Sequence, residues 1–393
     1  MKNYVIILKV SLLLFVFFFY KNTLFSLINE NIPFAELTHH KAEVNNMSFS
    51  PDGNYFAATS VDGNISLWDT KNFKFLKSIT ASAGNISFAK FSPDNRCLAS
   101  IDGDEKLKIW SLPKLKLDRE IKLGFKPTFL SFSPEKTSFI LGTSTGNIIF
   151  YSLQSMKEIK TLKGNGIPVT AVYFSKTDQR CISGYEDGKV IIWSQFDTML
   201  SSFSAHKKEI SLLGYVQKDR YILTAGKDNK VKFWLSKTLK STGTICELPE
   251  NGIFSTVSSN EKLITIACSN DTIEFMSLPS GLYGDTFRPN VSNIKAFTLS
   301  DDDKFIAVGN SSGAIEIYRN PMLIKKYNFA IEKGDEAMQY GKYELAMVKY
   351  NEALGLFTEK EIEAKLKEAR KLKEERQKGQ YQKIKGIRNN IRE

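Results

Sequence analysis

The chain has 393 residues, 42% of them hydrophobic, with 54 basic and 43 acidic side chains and three histidines. This composition supports a large buried core and excludes a disordered or collagen-like chain. The formal charge of +11 is uneven: residues 29–319 hold 34 basic and 31 acidic side chains. That central region is too balanced for a nucleic-acid-binding surface, so no nucleic-acid partner is expected.

The first predicted element is apolar. Residues 4–20 run from Tyr4 to Tyr20 with one internal charge, Lys9, and apolar character resumes from Leu24 to Ile28. A bilayer span needs roughly 20 apolar residues, whereas a cleaved signal has a shorter core and a small-residue cleavage site. No Ala-x-Ala string is present. Residues 1–28 therefore read as a transmembrane anchor touching the membrane through residues 4–28, with a cleaved signal sequence as the alternative. Lys2 favours an inside N-terminus and Lys21 the reverse, a mild lean to an exported, periplasmic or lumenal, body.

From residue 32 to 319 one pattern recurs seven times. Its anchors are Trp68, Trp110, Tyr151, Trp193, Trp234, Met276 and Tyr318, spaced by 42, 41, 42, 41, 42 and 42 residues. A period of about 40–45 residues marks one supersecondary unit repeated as a propeller blade or solenoid turn. Within each unit the apolar runs are short and broken by turn strings such as Ser50-Pro-Asp-Gly53 and Asp187-Gly188. Short β-rich runs between Asp/Gly turns predict strands, four per unit. Cys97, Cys181, Cys246 and Cys268 form no CxxC and read as small buried hydrophobes.

These strings resemble the WD-repeat β-propeller family across residues 32–319. The resemblance implies a seven-bladed all-β propeller. It also implies a His, Ser/Thr, Asp and Trp tetrad in each blade. On these residues the first blade supplies His40, Ser60, Asp62 and Trp68. The fifth supplies His206, Asp228 and Trp234, with Gly226 in the hydroxyl position. The second keeps Asp104 and Trp110 and the fourth Asp187 and Trp193, while Thr145, Asn270 and Ser312 fill the Asp position elsewhere. An N-terminal strand completes the last blade in this family, and Pro33-Phe-Ala-Glu-Leu37 is placed for that role.

After Pro321 the period changes to about 3.6, with small residues and tyrosines at helix–turn–helix spacing. Gly334, Ala337, Gly341, Tyr343, Ala346, Tyr350 and Ala353 carry a resemblance to one tetratricopeptide repeat. Residues 320–358 are thus expected to form a helical hairpin packed through these positions. Residues 359–393 read as a charged helix and basic tail, and 365–393 hold 11 basic and four acidic side chains. The tail from 379 to 393 suits an acidic partner or an anionic lipid surface.

Reactive chemistry is sparse. The sequence has no HExxH and no Cys/His cluster at metal spacing, so no catalytic residue, metal or cofactor is expected. Both resembled families bind proteins or peptides, which implies a membrane-tethered interaction scaffold. Lys207, Lys208, Glu209, Glu186 and Lys227 are the candidate partner contacts, because they flank the predicted tetrad positions of blades four and five. The alternatives are an exported accessory to a redox or transport complex and a propeller enzyme acting in its central channel.

Overall fold

The computed structural model describes residues 29–390 except 134–136, 176, 178–179, 195–197, 248–251, 259–260, 279 and 281–282. The described residues divide into two units, Pro33–Tyr318 and a second containing Arg319 onward.

The first unit is built of seven four-stranded antiparallel sheets from strands β1–β28. Six sheets are continuous in sequence. The seventh takes three strands from its own repeat and its fourth from the N-terminal side: β1 (Ala35–Leu37) pairs with β28 (Ile315–Arg319). The register sets Ala35 against Ile317 and Leu37 against Ile315. The Phe34 amide adds a hydrogen bond to the Ile317 carbonyl at 2.7 Å.

The first strands of the blades form the inner ring. They are β2 (Val44–Phe49), β6 (Ile86–Phe91), β10 (Pro127–Phe132), β14 (Val169–Phe174), β18 (Ile210–Val216), β22 (Gly252–Val257) and β26 (Ile294–Leu299). Each touches the next, and β26 touches β2, so the ring is closed. Every pairing of a first with a second strand carries one register shift near its start, as between Val44 and Asn46. Such a bulge bends and twists a strand locally.

The core is distributed between blades. Second strands are almost fully buried, as in Phe56–Ser60 and Cys97–Asp102. Their alternating side chains face a neighbouring blade on each side, which explains the near-continuous apolar runs. Gly63, Gly146, Gly188 and Gly313 hold positive φ in the turns between second and third strands. At Gly188 a Cβ would lie 2.2 Å from the His206 carbonyl oxygen, so only glycine fits.

Among its described residues the second unit contains three helices: α1 (Pro321–Gln339), α2 (Tyr343–Leu356) and α3 (Lys360–Asn390). Asn320 caps α1, its side chain accepting from the Met322 amide at 3.0 Å, with Pro321 at the first turn. Gly334, Ala337, Ala346, Tyr350 and Ala353 are buried between α1 and α2. A Cβ on Gly334 would lie 2.4 Å from the Tyr350 ring. Gly341 and Tyr343 are only half-buried. Gly341 takes φ 66° in the connecting turn, so its role there is conformational. Asp335 accepts from the Tyr350 hydroxyl at 2.7 Å and pairs with Lys365 of α3 at 2.8 Å. Ile362, Leu366 and Ala369 of α3 complete this small core.

The expected membrane anchor needs correction. No helix among the described residues is long and apolar enough to cross a membrane. Residues 1–28, on which the expectation rested, lie outside the described residues. The physical reason was already in the chain: the 17-residue run from Tyr4 to Tyr20 is short and carries Lys9, against about 20 apolar residues for a span. Single-pass placement and the exported location that followed from it are withdrawn.

Candidate functional site

Blade five holds the most complete hydrogen-bond relay. The Trp234 Nε1–H donates to Thr224 Oγ1 at 3.0 Å, and His206 Nε2 lies 2.8 Å from that same oxygen. His206 Nδ1 lies 2.8 Å from Asp228 Oδ1. The Asp228 carboxylate can only accept, so His206 Nδ1 carries the proton and donates to it. In the neutral ring Nε2 is then bare and accepts from the Thr224 hydroxyl. Asp228 also accepts the backbone amides of Lys207 at 3.0 Å and Lys230 at 3.3 Å.

The hydroxyl in this relay is Thr224, two residues before Gly226. Strand register explains the position. Trp234 pairs with Ile222 on the adjacent strand, and Thr224 is the next residue on the same face. The same diagonal joins Trp110 to Ser100 at 2.8 Å and Trp193 to Ser183 at 2.7 Å. In blade one Trp68 pairs with Phe56, so the diagonal residue is Ala58. Ser60 lies too far along. Its hydroxyl donates to the Ala42 carbonyl at 3.0 Å and accepts the Asp62 amide at 3.1 Å. The assignment of Ser60 to a Trp68-centred tetrad is therefore corrected. His40 reaches Asp62 at 3.4 Å, but its buried Nε2 has no partner.

Other blades close their polar interiors differently. In blade two Asp104 is exposed, and the buried carboxylate is Asp102, paired with buried Lys108 at 3.0 Å. Lys108 also donates to the Ala81 carbonyl. In blade four Asp187 turns outward to Lys189 at 3.1 Å, while the Ser183 hydroxyl donates to Tyr185 at 3.1 Å. Burial pushes the Tyr185 hydroxyl up to about 12. In blade seven Tyr318 donates to Glu316 and accepts the Asn290 amide. These substitutes escaped the sequence reading because they come from different strand positions. The recurring signal was a hydroxyl ten residues before Trp, present at Ser100, Ser183 and Thr224.

Burial holds His40 and His206 below 6.5, although Asp62 and Asp228 pull upward. The unfolded chain thus binds more protons than the native chain once pH falls below about 6.5. Stability is expected to decline there, by at most about 1.4 kcal/mol per pH unit for each histidine. For the two aspartates burial raises the pKa, but the backbone amides and histidines outweigh it and hold both below 3.8. Their contribution is present above that value and is lost as pH falls through the lowered folded pKa. A melting temperature that stays constant from about pH 7 to pH 5 would contradict the histidine part.

The candidate contacts gather beside the blade-five relay. Lys207 follows His206, and its amide is held by Asp228. Lys227 pairs with Glu209 at 2.5 Å, and its amide donates to the Glu209 carbonyl at 2.9 Å. The turn carrying Glu186 abuts the same segment, since Gly188 lies against the carbonyls of His206 and Lys208. Glu186, Lys207, Lys208 and Lys227 are exposed and Glu209 is half-buried. All five thus lie on one loop face, with the backbone of the Lys207 segment pinned from below. Among the described residues no group of three or more His, Cys, Asp or Glu side chains is arranged to hold a metal.

Seven four-stranded blades, a terminal strand closing the ring and Trp–Ser/Thr relays define the class of WD-repeat β-propellers. Residues 23–277 match the family model described as IFT122 first beta-propeller, more than half of the chain, and the chain belongs to that family. It is 28% identical over 205 residues to Pre-rRNA-processing protein crb3/ipi3 of Schizosaccharomyces pombe, covering 47% of this chain and 45% of the relative. It is 44% identical over 46 residues to Ribosome assembly protein 4 of Saccharomyces cerevisiae, covering 12% of this chain and 9% of the relative. To mouse Telomerase protein component 1 it is 26% identical over 157 residues, covering 39% of this chain and 6% of the relative. The chain thus spans less than half the length of these relatives.

Proposed function

We propose that this protein is an interaction platform that docks protein or peptide partners on the loop face at blades four and five. The observation carrying the reading is that exposed Glu186, Lys207, Lys208 and Lys227 gather where Asp228 holds the Lys207 amide and the Glu209 carbonyl holds the Lys227 amide. A preordered surface loses little entropy on binding. The mixed charge of Lys207, Lys208, Glu186 and Lys227 suits a partner with complementary charge, which favours encounter and register. The names of the fungal relatives, in pre-rRNA processing and ribosome assembly, favour a place in a multi-component assembly. The propeller at 32–319 is the main body of this platform. The hairpin at 320–358, similar to one tetratricopeptide repeat, supplies a second docking surface, and the charged helix at 359–393 extends it. An acidic segment suits the tail, where Lys378 and Lys383 are exposed.

Affinity capture with the full chain tests this, comparing wild type with a Lys207→Glu/Lys208→Glu variant of equal melting temperature. Loss of a defined set of captured proteins from the variant is expected. An unchanged set would remove this face as the docking surface.

A further inference from the structure

The inner ring borders an open cavity of about 600 Å³, lined by first strands of blades two to six and by turns at one end of them. That volume falls within the range of small-molecule sites, which are mostly apolar with a few placed polar groups. The wall fits this description. Phe129, Phe174 and Leu212 supply apolar surface, and the lining contains a single cationic side chain among the described residues, Lys90 of β6.

Lys90 is in an unusual position. Its side chain is exposed and lines the open lumen. Burial lowers its pKa, while the charge of Asp301 pulls it upward. No carboxylate lies within 4.0 Å of its ammonium among the described residues. Glu261, the acidic side chain of the lining, is engaged by the Gln217 amide at 2.6 Å. The hydroxyls of Thr170 on β14 and Ser255 on β22 are in the same wall, buried and without a hydrogen-bond partner. Buried hydroxyls without partners are uncommon and call for an explanation.

We propose that the central cavity binds a small organic anion, a phosphate or carboxylate on an apolar body. Its charged group would pair with Lys90, and its apolar body would lie against Phe129 and Leu212. The Thr170 and Ser255 hydroxyls would donate to its polar atoms after rotation about χ1. This site is separate from the loop face, and either can stand without the other. Losing a hydrogen bond from a charged group is expected to weaken binding about tenfold or more.

Phenyl phosphate and phenol serve as probes on the full chain, followed by ligand-observed NMR and calorimetry. Phenyl phosphate is expected to bind and phenol to bind at least about tenfold more weakly. Lys90→Met is expected to lose about tenfold or more of the phenyl phosphate affinity, whereas Lys90→Arg retains most of it. Melting curves verify that each variant folds. Should Lys90→Met fail to fold, Lys90→Gln and the wild-type comparison of the two probes still decide the matter. Three results would overturn the proposal: no phenyl phosphate binding at millimolar concentration, equal binding of phenol, or unchanged binding by a folded Lys90→Met or Lys90→Gln variant.

Discussion

Thr224→Ala is expected to lower the unfolding free energy by about 2–4 kcal/mol, and Ser60→Ala by about 1 kcal/mol or less. The first removes a hydroxyl that joins buried His206 to half-buried Trp234. The Trp234 N–H would lose its acceptor and His206 Nε2 its donor. Each unsatisfied buried group costs about 1–3 kcal/mol. Ser60 is buried too, but its hydroxyl bonds only the Ala42 carbonyl and the Asp62 amide, on half-buried residues that water can reach. The counterpart in blade one is a gain. Ala58→Ser places a hydroxyl between Trp68 and the unpartnered His40 Nε2, with an expected increase of about 1 kcal/mol. Calorimetric melting of the three variants decides the point. Equal losses for Thr224→Ala and Ser60→Ala would restore Ser60 to the relay.

Removing residues 33–37 should have the larger structural effect. Leu37 is buried, and Phe34 packs on Phe305 and Phe73 with ring centroids 5.3 and 5.9 Å apart. Fully burying a large apolar side chain contributes about 1.5–3 kcal/mol, so losing buried Leu37 and half-buried Phe34 removes a substantial share of a stability of about 5–15 kcal/mol. The deletion also leaves Ile315 and Ile317 on an unpaired edge, a template for association. Light scattering is expected to show oligomers of the shortened chain. A synthetic peptide covering residues 30–40 is expected to return it to monomer. A monomeric deletion variant with unchanged melting would show that β1 is dispensable.

The propeller could be recognised from its sequence because the anchors at Trp68, Trp110 and Trp193 lie in strands buried between blades. Burial imposes bulky apolar residues there at a constant interval. The polar network was harder to read. In sequence Ser60 stands two residues before Asp62 and looks like its partner, but a pleated sheet joins Trp68 to the diagonal residue on its own face, Ala58. Lys108 with Asp102, and Tyr185 with Ser183, fill comparable volumes from other positions. No single column of the repeat reveals such exchanges, because the constraint is a satisfied interior and any strand can satisfy it. The candidate loop residues Glu186 and Lys227 stand just before the expected tetrad positions Asp187 and Asp228, and Lys207, Lys208 and Glu209 lie on a connecting loop. Their proximity across two blades follows from the turn at Gly188, whose close approach to His206 depends on backbone conformation. The central cavity left no mark in the repeat, since Lys90, Thr170 and Ser255 come from three different blades.

The pairing of β1 with β28 has a consequence for biosynthesis. Its partners, Ala35 and Ile317, lie at opposite ends of the propeller sequence. A ribosome adding about 5–20 residues per second needs tens of seconds to carry synthesis from one to the other. Throughout that interval β1 is outside the ribosome without its neighbour, while blades one to six have their own strands in hand. The closing segment is short, three residues in β1, which limits the edge it offers to other chains while it waits. Completion of the ring therefore waits for the last blade, with the helices from Pro321 onward still to be made, and the same step shields the apolar flanks of the first and seventh blades.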